Sequence, residues 1–345
     1  MSTIQTHARC SRTVSVVIPC FNEEKTIRKC IESTIRCSRN DLLLEILVVD
    51  GGSDDDTLEI LSELQKKYTF IKVLRNQAKV TPIGLNIGIK QAKGDFILIL
   101  GGHTTVSDNY IEVLVEDLEN DSTVACAGGV CISVLSQENL FQRLNGALGE
   151  SKFGVGGSCF RTGCATKRYV DTVAYGIYRR EIFDEVGLFD ERLVRNQDIE
   201  LSHRIRRRGY NIILNPGTEA YYYPRTTLHE LCKQSFSNGY WNIITWRLVP
   251  GSLSVRHFVP LGAVVCGLGL CVLSSMLASA KVVLAFLALL YLLLAIYASI
   301  SIAAQKRDSR FLLTFLLFPI FHVSYGVGSL CSLIASSSCI KNHRT

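Results

Sequence analysis

The chain has 345 residues and a net charge of +6, enough length for one large α/β domain plus an appendage and too little charge to mark a nucleic-acid binder. Its basic residues cluster between Arg204 and Arg256, which suits anionic lipid or phosphate, and no RNA- or DNA-binding motif is present. No GxGxxG or GxxxxGKS follows any expected strand, which argues against a dinucleotide dehydrogenase or a P-loop enzyme.

Met1 to Arg12 is polar and lacks an apolar core, so residues 1–13 read as a disordered N-terminus with no signal peptide, and the soluble part stays in the cytoplasm. The 13 cysteines form no CxxC pair or His/Cys metal pattern. Cys159 and Cys164 are spaced for a disulfide, but the scatter of the others predicts buried free thiols in a reducing compartment.

Val14 to Pro19 is the first expected strand, Cys20 to Glu24 its loop, and Thr26 to Ile35 a helix with Ile27, Cys30 and Ile31 inward. Glu45 to Val49 is the second strand, and the unbroken apolar run from Ile46 predicts burial on both faces of a parallel sheet. Gly51 and Gly52 then turn the chain, and Ser53 or Asp54 caps a helix beginning near Asp55, with Leu58, Leu61 and Leu64 on its apolar face. Asp50 thus stands at the carboxyl end of a strand. A carboxylate there either caps the turn or meets a ligand, by bonding a nucleotide's base or ribose or by holding a divalent metal on a phosphate.

Phe70 to Leu74 is a third strand, Pro82 to Gln91 a helix, and Asp95 to Leu100 a fourth strand ending in Gly101-Gly102-His103. Gly84 and Gly88 lie four apart on one helix face, a spacing for close packing. This β/α alternation predicts a doubly wound sheet. Asn109 to Asn120 reads as an amphipathic helix and Val124 to Val134 as a strand region. Phe153-Gly-Val-Gly-Gly-Ser-Cys-Phe-Arg161 either cradles a phosphate on backbone amides or is a surface loop. Asp198 and Glu200 open a helix that Arg206 to Arg208 close, as the helix dipole favours.

Tyr240, Trp241 and Trp246 suit a helix in a membrane interface, giving an amphipathic linker over 236–257. A membrane domain is expected over 258–335 and a tail over 336–345. Phe258 to Ala280 and Val282 to Ala304 are free of charge and long enough to span a bilayer, with Lys281 as the turn between them. Phe311 to Ile334 is a third span or a re-entrant segment, since it contains Pro319, His322 and several glycines. Arg247, Arg256 and the Lys306 to Arg310 loop fall on the cytoplasmic side by the positive-inside rule, which places Lys341 and Arg344 outside.

Taken together these segments resemble a family 2 glycosyltransferase. The residues that carry the likeness are Val16-Val-Ile-Pro-Cys-Phe-Asn-Glu23, Val49-Asp-Gly-Gly-Ser-Asp-Asp-Asp-Thr57, Gly94-Asp95 and Gln197-Asp-Ile-Glu-Leu201, in that order. Phe153-Gly-Val-Gly-Gly157, Val170-Asp-Thr-Val173, Arg195-Asn-Gln-Asp198 and His322-Val-Ser-Tyr-Gly-Val-Gly-Ser329 are similar to the succinoglycan-synthesis branch. The resemblance implies a GT-A fold, that is, a Rossmann-like, doubly wound, mainly parallel α/β domain over 14–235, followed by transmembrane helices.

The resemblance also implies roles. Pro19, Glu23, Asp50, Asp55, Asn86 and His103 line the pocket of a nucleotide-sugar donor, with Asp50 and Glu23 near the uracil and ribose. Asp198 is the general base that takes the acceptor hydroxyl's proton during a single inverting displacement. Gly156, Gly157, Asp171, Gln197, Arg204 and Arg207 face the acceptor or the leaving diphosphate, although both arginines also fit an exposed basic helix face. The family usually carries Asp-x-Asp or Asp-Ala-His after the fourth strand, where the first Asp helps hold Mg²⁺ or Mn²⁺. Here Gly101 takes that place and His103 remains, so either Asp50 or a water completes the shell of Mg²⁺ or Mn²⁺, or metal use is weak, or the protein is impaired. A hard divalent ion prefers oxygen, so an imidazole alone makes a poor site.

The expected protein is a multi-pass plasma-membrane enzyme with a cytoplasmic catalytic domain. It moves a hexose, glucose foremost, from a UDP-sugar to a lipid-linked saccharide during surface polysaccharide or glycan synthesis. Its alternatives are a polyprenyl-phosphate sugar synthase and, given Gly101-Gly102-His103, a non-catalytic nucleotide-sugar-binding scaffold.

Overall fold

The computed structural model of the chain describes residues 12–37, 42–135 and 138–335. Most of the N-terminal stretch over 1–13, the tail over 336–345, and Lys341 and Arg344 lie outside the described residues. The first elements are β1 (Val14–Cys20), α1 (Ile27–Arg36), β2 (Leu43–Asp50), α2 (Thr57–Lys67), β3 (Ile71–Arg75), α3 (Thr81–Gln91) and β4 (Phe96–Ile99). Next come β5 (Thr104–Val106), α4 (Tyr110–Asn120), β6 (Val124–Ser133), α5 (Leu140–Glu150) and the single turns α6 (Lys152–Val155) and α7 (Cys159–Thr162). β7 (Arg168–Tyr169), β8 (Ile177–Arg179), α8 (Ile182–Val186), α9 (Gln197–Arg207) and β9 (Asn211–Tyr222) follow. The remainder is helical: α10 (Leu228–Leu248), α11 (Val259–Ser274), α12 (Ala278–Lys306) and α13 (Thr314–Ile334).

The chain divides into two compact units. The first runs to Gly129 and adds Lys167–Phe189 and Ile205–Ala220; the second takes Val130–Thr166, Asp190–Arg204 and everything from Tyr221. The sequence suggests one catalytic domain over 14–235. Instead, the glycine-rich turn and the Asn-Gln-Asp segment belong with the C-terminal helices.

The first unit is built on a sheet ordered β3-β2-β1-β4-β8-β6-β9-β5, with β7 paired to β9. Strands β3, β2, β1 and β4 run parallel, and β8 turns antiparallel to β4 and β6. The sheet is therefore mixed, with its parallel half carrying the βαβ units. Ile46 to Val49 are buried on both faces, as an uninterrupted apolar strand requires. Ile27, Cys30 and Ile31 pack beneath α1. On α2, Leu61 and Leu64 are buried, but Leu58 is exposed and Thr57 takes the inward place at the helix start.

Gly84 and Gly88 face the sheet as their spacing predicts. A methyl at Gly88 would overlap Val17 Cγ1 on β1 and approach Val49 Cγ2 at 3.2 Å. Gly88→Ala should therefore lower stability by about 1–3 kcal/mol, the usual cost of overpacking, read as a drop in the urea midpoint without a change in slope.

Among the described residues no two cysteines are joined in a disulfide, Cys159 and Cys164 included. Five are buried, and burial pushes the Cys30 and Cys37 thiols up to about 12, so both are inert at neutral pH.

In the second unit α10 is one helix from Leu228, because Thr227 and Glu230 close a capping box at its start. No boundary falls at residue 235, and the expected linker over 236–257 is mostly the rear of this helix. Its Gly239 lies so close to α13 that a methyl would overlap the Tyr325 carbonyl, and a methyl at Gly328 would overlap that of Phe236. Small residues thus let the two backbones touch. Arg247 donates to the carbonyls of Ser332 and Leu333 and so caps the end of α13.

The first apolar run is shorter than expected. Ser274 and Ser275 turn their hydroxyls back onto the carbonyls of Cys271 and Val272, and α11 stops after 16 residues, roughly 24 Å. Lys281 lies inside α12, and the turn is at 275–277. Helix α12 and the segment Ser309–Ile334 are the two among the described residues long and apolar enough to cross a bilayer.

Candidate active site

At the carboxyl ends of β1, β2 and β4, parallel register sets Cys20 beside Asp50. Asp50 is 3% exposed. Its carboxylate accepts from Gly52 N at 2.8 Å, from Ser53 N at 3.2 Å and from the Ser53 hydroxyl at 2.6 Å. Gly52 adopts φ +81°, which lets the chain fold back over the carboxylate. Asp50 closes this turn at the edge where parallel sheets present ligand groups.

The loop after β1 is knitted to the same turn. Asn22, in the left-handed region at φ 55°, donates from its backbone to Ser53 Oγ and from Nδ2 to Asp54 Oδ1. Glu23 N donates to Thr57 Oγ1, and Glu24 N to Asp55 Oδ2, which leaves Glu23's carboxylate aimed at β4. One oxygen accepts from Thr26 at 2.7 Å, and the other lies 2.8 Å from His103 Nδ1. Gly102 admits this pair, since a methyl there would stand 3.0 Å from Glu23 Cγ.

Two expected donor residues have structural duties here. Asp55 spends its carboxylate on the backbone of Glu24 and Thr57, holding the two loops together. Asn86 is buried, and its amide gives to and takes from the backbone of Phe189 at 3.0 Å each way, so it joins α3 to the segment after α8. Pro19 lies at the end of β1 beneath Gly84. The sequence reading passed over Phe21, 49% exposed at the rim, with Lys79 Nζ 5.7 Å from its ring. An aromatic in a polar loop beside a strand-end carboxylate was the available signal.

The second unit carries the Arg-Asn-Gln-Asp segment. Asn196, at φ 62°, donates to Asn242 Oδ1 at 2.7 Å and to Thr245 Oγ1, and Arg195 donates to Asn238 Oδ1 at 2.8 Å. Asn238, Asn242 and Thr245 lie on one face of α10 at helical spacing. Asn242 in turn bonds the Tyr325 hydroxyl, and Ser329 donates to the Gly239 carbonyl at 3.0 Å. The late His-Val-Ser-Tyr-Gly-Val-Gly-Ser stretch therefore acts by bracing the segment that leads into α9.

Asp198 stands in the first turn of α9. Burial pushes its carboxyl above the ordinary value, opposed by the backbone N–H groups of Ile199 and of Asp198 itself, and by Arg161. Beside it Gln197 Oε1 is buried with no hydrogen-bond partner among the described residues. A strengthened base next to an unused acceptor suits a bound hydroxyl donor.

Other expected contacts fall elsewhere. Arg204 forms a bidentate pair with buried Glu200, both bonds 2.7 Å, and so serves α9 itself. Arg207 is exposed, the basic helix face that the sequence also allowed. Asp171 lies in the first unit, between β7 and β8, next to buried Thr172. Gly156, at φ 65°, and Gly157 lie against Arg256, which donates to the Gly157 carbonyl at 3.2 Å. Arg161 and Arg256 are further candidates in this unit; the basic end of the glycine-rich stretch pointed to the first and the basic cluster from Arg204 to Arg256 to the second.

Comparison with known proteins shows the family and the fold. Residues 15–187 match the model of glycosyl transferase family 2. The chain belongs to that family. It is 32% identical over 255 residues to succinoglycan biosynthesis protein ExoA of Rhizobium meliloti, covering 71% of this chain and 74% of that one. It is 28% identical to a Methanococcus voltae protein named dolichyl N-acetyl-alpha-D-glucosaminyl phosphate 3-beta-D-2,3-diacetamido-2,3-dideoxy-beta-D-glucuronosyltransferase, over 95% and 99% of the two chains. Among solved structures, the mannosyltransferase PcManGT of Pyrobaculum calidifontis, in complex with GDP-Man and Mn²⁺, superposes with a TM-score of 0.59 at 16% identity, covering 89% of this chain and 86% of its own. The fold is GT-A and the protein is a glycosyltransferase.

The residues at the end of β4 do not by themselves fit a divalent ion. Among the described residues no three His, Cys, Asp or Glu side chains are placed to hold one. Glu23 and His103 bond each other, and Asp50 is enclosed by backbone amides. A methyl at Gly101 would meet only ordinary contacts, 3.4 Å from Thr104 Oγ1. Gly101→Asp is thus expected to fold and to lower the Mn²⁺ needed for half-maximal transfer by about tenfold or more, measured by titrating Mn²⁺ into EDTA-treated enzyme.

Proposed function

We propose that this glycosyltransferase is membrane-bound and inverting, and that it moves a hexose from a UDP-sugar to a lipid-linked saccharide during surface polysaccharide or glycan assembly. The observation that carries this reading is that Asp198 and the apolar helices α11 to α13 share one compact unit. An enzyme whose acceptor is anchored in lipid needs its base on the part that meets the membrane.

Further support comes from the helices and from the relatives. Phe286, Val272, Val282 and Tyr297 are each more than 60% exposed, an apolar surface that water does not favour. The Methanococcus voltae relative is named for a dolichyl-linked acceptor and matches nearly its whole length here. Lys306 pairs with Glu150 and Arg143 with Asp308, tying the basic loop to α5; the positive-inside rule supports a cytoplasmic position for that loop.

In this reading Pro19, Glu23, Asp50 and His103 bind the donor. Asp198 accepts the proton of the acceptor hydroxyl as that oxygen attacks the anomeric carbon and the nucleoside diphosphate leaves. Gln197 Oε1 holds a second hydroxyl of the acceptor. The test is transfer from radiolabelled UDP-glucose, UDP-galactose and UDP-N-acetylglucosamine into a lipid extract of host membranes, with and without EDTA. Label entering the lipid fraction with one donor supports the reading; UDP binding without transfer from any of them overturns it.

A further inference from the structure

We propose that Asn242 and Thr245 of α10 are positioning residues for the transfer reaction: they hold the Asn196 side chain off the start of α9, so that the first N–H groups of that helix serve the Asp198 carboxylate. The proposal rests on Asp198 as the base, and all of these residues lie in the second unit.

Asn196 stands at the capping position of α9, since its carbonyl takes the first helical bond, from Glu200 N at 3.0 Å. An asparagine at this place ordinarily has extended backbone and turns its side-chain oxygen onto the N–H of the second or third helical residue. Here those residues are Asp198 and Ile199. Asn196 departs from the pattern. Its backbone is left-handed, at φ 62°, a conformation that asparagine tolerates. Its amide points to another helix, with Nδ2 2.7 Å from Asn242 Oδ1 and 3.2 Å from Thr245 Oγ1. The N–H groups of Asp198 and Ile199 bear on the Asp198 carboxylate instead.

Both acceptors are fixed for this contact. Asn242 is 2% exposed and Thr245 is wholly buried. Asn242 gives its own Nδ2 to the Tyr325 hydroxyl, which orients the amide with its oxygen towards Asn196. Thr245 donates its hydroxyl hydrogen to the Trp241 carbonyl at 2.8 Å, so a lone pair faces Asn196. The consequence falls on the base. N–H groups at a helix start stabilise a carboxylate in its charged form, which offsets part of the burial that favours the neutral form. An Asn196 that capped α9 in the ordinary way would take one of these N–H groups, and Asp198 would hold its proton more tightly.

The test is kcat/KM against pH for the full-length protein in detergent, with the UDP-sugar and host lipid extract that give transfer. Asn242→Leu with Thr245→Val frees Asn196 to cap α9. The acidic limb should move to higher pH by about one pH unit, the worth of one hydrogen bond to a charged group, so that below the limb the rate falls about tenfold while the donor's KM holds. Asn196→Gly suits the left-handed backbone and cannot cap, so its limb should stay at the wild-type pH. Added to the α10 pair, it should return the limb to that pH. Simple bracing requires the opposite, because both changes cut the same bonds. Equal displacement of the limb by the α10 pair and by Asn196→Gly, or no displacement by the pair, overturns the proposal. Should the pair fail to fold, Thr245→Val alone should move the limb in the same direction by less, and an unmoved limb overturns the proposal there too. Transfer that survives Asp198→Asn ends the base reading itself; an inactive Asp198→Asn with an unmoved limb in the α10 pair ends only the positioning role.

Discussion

Asp198→Asn should abolish transfer, by about 10³-fold in kcat, while leaving the fold intact, since general-base catalysis is worth 10²–10⁴ and the amide cannot take a proton. The two consequences of burying this carboxyl separate cleanly. Burial raises its folded pKa above the unfolded value. A group shifted in that direction contributes stability at pH below its unfolded pKa, and this contribution is lost as pH rises through the folded value. At neutral pH the ionised Asp198 is therefore a cost, and Asp198→Asn should melt no lower than wild type. Below the ordinary carboxylate range the advantage of the variant should vanish. In the wild type, kcat/KM should fall on acidification through a pKa above the usual Asp range. Arg161→Gln, by removing the nearby cation that opposes the shift, should move that limb to still higher pH. A variant that loses both activity and tens of degrees of stability would make Asp198 a structural residue.

The second large effect is expected at Asp50. Asp50→Ala leaves the amides of Gly52 and Ser53 and the Ser53 hydroxyl without their acceptor. These donors are half-buried, so stranding them costs about 1–3 kcal/mol in all, and this variant should unfold at lower urea and lose UDP binding. Asp50→Asn keeps an acceptor for the turn but removes the charge. It should recover most of the stability while UDP affinity stays down by about tenfold, measured by calorimetry. Wild-type UDP affinity in Asp50→Asn would confine Asp50 to the turn.

These two residues mark the limits of what could be read in advance. The sequence alone determined the strand that ends at Asp50, the turn after it, the packing glycines 84 and 88, and the helix that starts at Asp198. Each depends on neighbours a few residues away: an apolar run, two glycines, an i to i+4 spacing, acids at a helix start. The family likeness then rested on motifs that follow one another in the family's order along the chain.

What the tertiary structure decided lies between residues far apart. Asn86 looked available for a donor until its amide was found on the Phe189 backbone, 103 positions away. Arg204, an anion ligand or a basic helix face by sequence, forms a bidentate pair with buried Glu200. The end of α11 was set by two serine hydroxyls folding back, which no hydropathy profile registers. Most of all, the grouping of Asp198 with the C-terminal helices rests on Asn196 meeting Asn242, on Asn242 meeting Tyr325, and on Gly239 lying bare against α13. Polar side chains on separate helices carry no periodic trace of their partners. Pairings that satisfy a buried amide appear only once the backbones are in place, whereas the pattern that buries a strand is written along the strand itself.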